Sequence, residues 1–226
     1  MKFVNSWSGI LWRSALVIIF FMLALFIIGY ASGYGFNLSD KSLYRTGIIE
    51  VQPNPPQSKI YVNGKYQGDG RIRLSLAPGR YRIKVTCELY NEYEKQVDLK
   101  KGQAIVLNQV QLFLGEPKVE KFDQGQLKGE LEQLTESDGL SSQNSEIYQG
   151  DNLITRFSSD VYGLSWFPNR SMISYTQNNR LKLISIDGDY IVNLLDKDSK
   201  SPAVYINSGK FVIYKNAGDI YRAQII

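Results

Sequence analysis

Histidine is absent from this 226-residue chain, and cysteine occurs once, at Cys87. The first absence excludes an imidazole base, a histidine-containing catalytic triad and a histidine-ligated metal site. The second excludes an internal disulfide and a thiolate cluster. Only carboxylate, lysine, serine or tyrosine chemistry remains, so no cofactor and no metal are expected. Charge is missing from one place in particular: no charged side chain occurs from Ser14 to Phe36. Within that stretch, Ala15 to Ile28 is unbroken apolar sequence.

As a helix, residues 14–36 reach about 34 Å, against about 30 Å of bilayer hydrocarbon. Trp7 and Trp12 lie at one end and Tyr30, Tyr34 and Phe36 at the other, where amphipathic rings favour the two interfaces. A transmembrane helix over 14–36 with a cytoplasmic tail over 1–13 is therefore expected, and the lipid bilayer is its partner. Lys2, Arg13 and the terminal amine slightly outweigh Lys41 and Arg45, which puts the N-terminus inside. Gly29, Ala31 and Gly33 also offer small residues at signal-peptidase spacing, so a cleaved signal with a secreted product is the alternative. Gly29 and Gly33 form a G-x-x-x-G that would let two such helices pair.

The remainder divides by charge. Net charge is +6 over residues 41–115, −6 over 116–151 and +3 over 152–226, so two basic modules flank an acidic connector. The first module alternates with period two: Ile49 and Val51, Ile60 and Val62, Ile72 to Leu76, and Tyr81 to Cys87 each line one face. Asn63-Gly64 suits a type I′ hairpin and Pro78-Gly79 a tight turn. These signals predict a small antiparallel β-sandwich over 46–114. Cys87 falls on the inward register, as a buried small hydrophobe.

The residues Gly47, Ile49, Val51, Pro55, Ile60-Tyr61-Val62-Asn63-Gly64, Gly68, Pro78-Gly79, Tyr81, Ile83, Val85, Tyr90 and Gly102 resemble the PEGA domain family, a β-rich module of prokaryotic surface proteins. Of the naming tetrapeptide only Pro55 survives, Gly70-Arg71 replaces the usual Thr-Pro, and Leu89 stands where a glycine precedes Tyr90. The resemblance implies an exposed binding or spacer module and carries no catalytic residue. If the apolar register points inward, Arg71, Arg73, Arg80, Arg82 and Lys84 point outward. With the Pro78-Gly79 turn pairing their strands, these five would form one polyanion-binding face for an anionic cell-wall or glycan polymer. Nucleic acid is not expected, because the aromatic interleaving lies on the other face.

Residues 115–145 read as an acidic flexible linker in which Leu127, Leu131 and Leu134 would give two helical turns. Beyond it the sequence repeats. At an offset of 39, Met172-Ile173-Ser174-Tyr175 falls on Phe211-Val212-Ile213-Tyr214, and at 38, Gly150-Asp151 falls on Gly188-Asp189. A period near 40 built of short strands is that of a four-stranded propeller blade. Leu164-Ser165-Trp166-Phe167-Pro168-Asn169 followed by Ile173-Ser174-Tyr175 and Ile186-Asp187-Gly188 resembles a blade of the TolB-type β-propeller family, with Phe167 in place of a serine and Arg170 of a glycine. Residues 146–226 are thus expected to form incomplete propeller-like blades: two strands, a full blade, then three strands with an open edge. Either a truncated reading frame or an atypical open sheet would account for that count.

The expected fold class is mainly β behind an N-terminal helix. The expected function is that of a surface-exposed, membrane-anchored binding or scaffold protein, not an enzyme, whose head takes a protein partner that the residues do not identify. Two alternatives stay open. One is an exported enzyme using Asp187 with Asp189 or Asp196 with Asp198; the other is a ligand sensor acting through a membrane partner by helix pairing at Gly29 and Gly33.

Overall fold

The computed structural model describes residues 5–37, 42–122 and 139–226. In chain order these form α1 (Asn5–Ala31), β1 (Tyr34–Asn37), β2 (Ser42–Arg45), β3 (Gly47–Asn54), β4 (Lys59–Val62), β5 (Lys65–Asp69), β6 (Ile72–Leu76), β7 (Gly79–Thr86), β8 (Tyr93–Leu99), β9 (Ala104–Gln111) and β10 (Lys118–Lys121). There follow β11 (Leu140–Gln143), β12 (Glu146–Gln149), β13 (Asn152–Arg156), β14 (Tyr162–Trp166), β15 (Met172–Gln177), β16 (Arg180–Ser185), β17 (Ile191–Asp196), β18 (Val204–Ile206), β19 (Phe211–Asn216) and β20 (Asp219–Gln224). Two compact units emerge. The first holds Met1–Gln52, Arg71–Tyr81 and Gln96–Asn108; the second holds Pro53–Gly70, Arg82–Lys95 and Gln109–Ile226. The boundary runs through the first β module, because β3, β7, β8 and β9 each begin in one unit and end in the other.

In the first unit, α1 is apolar on every side from Ala15 to Ile28, and the span Trp12–Gly29 is long and apolar enough to cross a membrane. The helix stops at Ala31, and Gly33 follows at φ +76°, a left-handed conformation that glycine adopts without the clash a side chain would meet. The Gly33 carbonyl accepts from both the Thr46 amide (2.9 Å) and the Thr46 hydroxyl (3.0 Å), tying the helix exit to the start of β3. Strands β1 and β2 pair between them. The sheet order is β6-β3-β9, with Gly47 opposite Leu76 and Val51 opposite Ile72. Gly47 is bare because a Cβ there would sit 2.6 Å from the Leu99 side chain.

The second unit contains the β4–β5 hairpin, turned at Asn63 (φ 51°) and Gly64 (φ 78°) as a type I′ turn requires. The order of its sheet is β5-β4-β7-β8, with Ile60 opposite Val85 and Val62 opposite Ile83, all buried. This overturns one expectation. Although only Ala77 and Pro78 separate the two strands, β6 and β7 belong to different sheets and do not pair. Cys87 lies just past β7 and is half-buried, not buried.

Three antiparallel sheets complete the second unit: β11-β12-β13, β14-β15-β16-β17 and β10-β20-β19-β18. The middle sheet is packed on both faces, and every residue of β15 is buried. One face meets a cluster with Leu140, Ile147, Val161, Ile173, Tyr175 and Ile184, where Phe157 lies 4.8 Å from Tyr175. The other meets a larger cluster with Phe113, Phe167, Met172, Leu183, Val192, Tyr205 and Val212. The strand count departs from expectation twice. A third strand, β11, joins the first sheet, and β10 from the acidic segment pairs with β20, Lys118 opposite Gln224 through Lys121 opposite Tyr221. The edge of β20 is therefore covered, and residues 118–121 are sheet, not solvated linker. The helical turns expected at Leu127, Leu131 and Leu134 lie outside the described residues.

Two positions at which the resemblances expect glycine have left-handed backbones. Leu89 has φ 68° and Arg170 φ 54°, left-handed values that cost a side-chain-bearing residue about 1–2 kcal/mol. Allowing for the greater unfolded-state freedom of glycine, Leu89→Gly is expected to stabilise by about 0.5–1 kcal/mol. A higher urea midpoint at unchanged slope would register the gain; an unchanged or lower midpoint would contradict it.

Candidate functional site

The five basic residues do not form the hairpin face that their spacing predicts. Arg71 and Arg73 flank or lie on β6, while Arg80, Arg82 and Lys84 lie on β7 in the other sheet. Three of them are paired. The Arg71 Nε and Nη2 donate to Glu50 at 2.9 and 2.5 Å, Arg82 meets Glu94 at 3.2 Å, and Lys84 meets Glu92 at 2.6 Å. The Glu92 hydrogen bond holds the Lys84 ammonium above its ordinary range. Exposed pairs of this kind add little stability, but their carboxylates offset part of the positive field a polymer would feel. Among the described residues no carboxylate pairs with Arg73 or Arg80.

The helix-pairing motif is also broken. Gly29 is in α1 with open space around its Cβ position, whereas Gly33 lies beyond the helix, its carbonyl engaged by Thr46. The two glycines therefore do not lie on one helical face.

The most developed constellation of side chains lies inside the second unit, where residues 93–95 and 110–114 meet the C-terminal sheets. Lys95 on β8, with only 17% of its side chain exposed, forms ion pairs with Asp187 and, at 3.6 Å, with Asp189. Asp187 also accepts from the Ser185 hydroxyl at 2.5 Å and from the Asp189 amide at 3.3 Å. Burial works against its charge, but Lys95 and Ser185 more than offset that and hold the Asp187 carboxyl below its ordinary range. Beside this pair the Tyr93 ring lies 4.7 Å from Tyr190, and burial raises both phenols. Deeper, Phe113 meets Phe167 edge to face at 5.5 Å, and the Leu114 amide donates to the Ile225 carbonyl at 2.9 Å.

This chemistry bears on the carboxylate-pair alternative. A general acid at neutral pH needs a carboxyl whose pKa is raised, and a carboxylate locked on a lysine has the opposite property. Asp187 and Asp189 act as shared counter-ions to Lys95. Asp196 pairs with Arg180 at 3.4 Å, and Asp198 caps a loop by accepting from the Ala217 amide at 2.9 Å. Among the described residues no group of three or more Cys, Asp and Glu side chains is placed to hold a metal ion.

Sequence reasoning missed Lys95 and Phe113, which look like an ordinary strand lysine and an ordinary strand-end aromatic until their partners are known. It also missed Lys197. This lysine is fully buried, and its ammonium donates to the Thr176 hydroxyl at 2.8 Å and to the carbonyls of Ser201, at 2.6 Å, and Ser199. Burial lowers its pKa to about 8 despite the nearby Asp198. Its three donors have three acceptors, so it binds the loop at 199–201 to β15. No curated protein matches this chain. Residues 46–111, the segment that carries the type I′ hairpin, the paired arginines and Lys95, match the PEGA domain family.

Proposed function

We propose that this chain is a single-pass membrane protein that holds a PEGA domain and a propeller-like head outside the cytoplasm, as a binding or scaffold device and not a catalyst. The observation that carries the reading is the helix. From Leu16 to Ile28 its large apolar side chains are 52–72% exposed, a continuous apolar surface that a soluble monomer does not tolerate and a bilayer covers. Its hydrogen-bonded tie to Thr46 favours a retained anchor over a cleaved signal.

Three further observations support the rest. PEGA domains suggest an extracellular type of module. The stacked antiparallel meanders, repeating at about 39 residues, support a head built like TolB-type β-propeller blades. The Lys95 and Phe113 contacts join residues 93–95 and 110–114 to that head firmly, which suits a device that presents a surface.

A membrane fractionation combined with protease added to intact cells tests the reading. The chain should resist carbonate extraction, and external protease should remove its β-rich part. Release of a shortened soluble form would establish signal cleavage instead, and full protection from external protease would overturn the display reading.

A further inference from the structure

The anchor of the first unit does not end flush against its sheet. A cavity of about 1150 Å³ opens where α1 gives way to β1, and it has two kinds of wall. One wall is Leu25, Phe26 and Ile28, the last apolar turns of the helix. The polar part of the lining carries Arg45, Ser75 and the Gly102 turn. Gly102 has φ +69°, and a Cβ there would lie 3.4 Å from Arg45 Cδ and Nε and 3.5 Å from Cζ. The bare glycine thus gives the Arg45 side chain its seat. Among the described residues no carboxylate pairs with its guanidinium. Tyr34, 44% exposed, stands in the same lining, an amphipathic ring at the level where the apolar helix ends.

We infer that this cavity holds one phospholipid of the bilayer that α1 crosses, its phosphate on Arg45 and its acyl chains along Leu25, Phe26 and Ile28. The inference rests on the membrane-anchored reading above. Two features select this occupant. The apolar wall is continuous with the helix surface that faces the bilayer, so the cavity fills from the membrane side. The polar wall offers a planar cation with no carboxylate partner among the described residues, and its donors match the paired oxygens of a phosphodiester. Such a lipid would wedge between helix and sheet and fix how the first unit stands on the membrane.

The test uses the full chain in phosphatidylcholine vesicles containing a phosphatidylcholine with a photoactivatable acyl chain. After illumination, adducts are mapped by peptide mass spectrometry. Adducts are expected on the helix and also on the sheet-side peptides that contain Ile48 and Ala104. Arg45→Gln should lower the sheet-side adducts about tenfold, the loss of a charge-assisted hydrogen bond, and leave the helix adducts unchanged. Ser75→Trp, which fills the cavity, should remove the sheet-side adducts. Excess inorganic phosphate should displace nothing; displacement would make this a free-phosphate site and overturn the lipid proposal. Helix labelling with a bare sheet, or sheet labelling indifferent to both substitutions, would also overturn it. Absence of labelling on the helix as well would overturn the anchor reading itself.

Discussion

Phe113→Ala is expected to destabilise the second unit by about 3–5 kcal/mol, the usual cost of emptying a fully buried phenylalanine site. Phe113 is wholly buried and lies edge to face on Phe167, which in turn meets Tyr205 at 5.2 Å. Its backbone is committed as well, because the Phe113 carbonyl accepts from the Asn91 amide at 2.7 Å. The surrounding strands are tied on both sides and cannot collapse into the space. Urea unfolding of the variant beside Val106→Ala, whose side chain is 48% exposed, gives the comparison. A loss below about 1 kcal/mol for Phe113→Ala would mean that the core around Phe167 does not depend on this ring.

The second large effect is expected at Gly163. Its φ is +61°, and a Cβ would meet the carbonyl oxygens of Ser201 at 2.7 Å and Lys200 at 2.8 Å. Both obstacles are backbone, and the Ser201 carbonyl is already held by the buried Lys197 ammonium, so the loop cannot yield cheaply. Gly163→Ala should cost about 3 kcal/mol or more, combining left-handed strain with overpacking. Gly150, at φ +57° with nothing within 4 Å of its Cβ position, separates the two contributions. Gly150→Ala should cost only about 1–2 kcal/mol. Equal losses at the two positions, read from denaturation midpoints, would show that the contact with the 199–201 loop is not the cause.

What could be read from the residues followed the range of the interaction. The Asn63-Gly64 turn, the alternation in β3, β4 and β7, and the apolar helix are local, and each was legible because neighbouring residues determine it. The repeat was legible too, since Met172-Ile173-Ser174-Tyr175 of β15 and Phe211-Val212-Ile213-Tyr214 of β19 are buried or nearly so on corresponding strands. The split of β6 and β7 into different sheets was not legible, because a Pro-Gly link reads as a hairpin turn whether or not its flanking strands pair. The basic face failed for that reason, and because Glu50, Glu92 and Glu94 reach Arg71, Lys84 and Arg82 only after folding. Lys95 lies 92 positions from Asp187, and nothing near either residue announces the other.

The strand β10 has a further consequence. Glu120 and its partner Arg222 are 102 positions apart, so a ribosome moving at about 5–20 residues per second delivers β10 roughly 5–20 s before β20 exists. Throughout that interval its backbone donors and acceptors are an open template for any other nascent chain. Its sequence, Lys118-Val119-Glu120-Lys121, puts a charge at three of four positions, and these charges discourage wrong partners without preventing the right one. The same residues that made the segment read as connector are those that allow an early-made strand to wait for its mate.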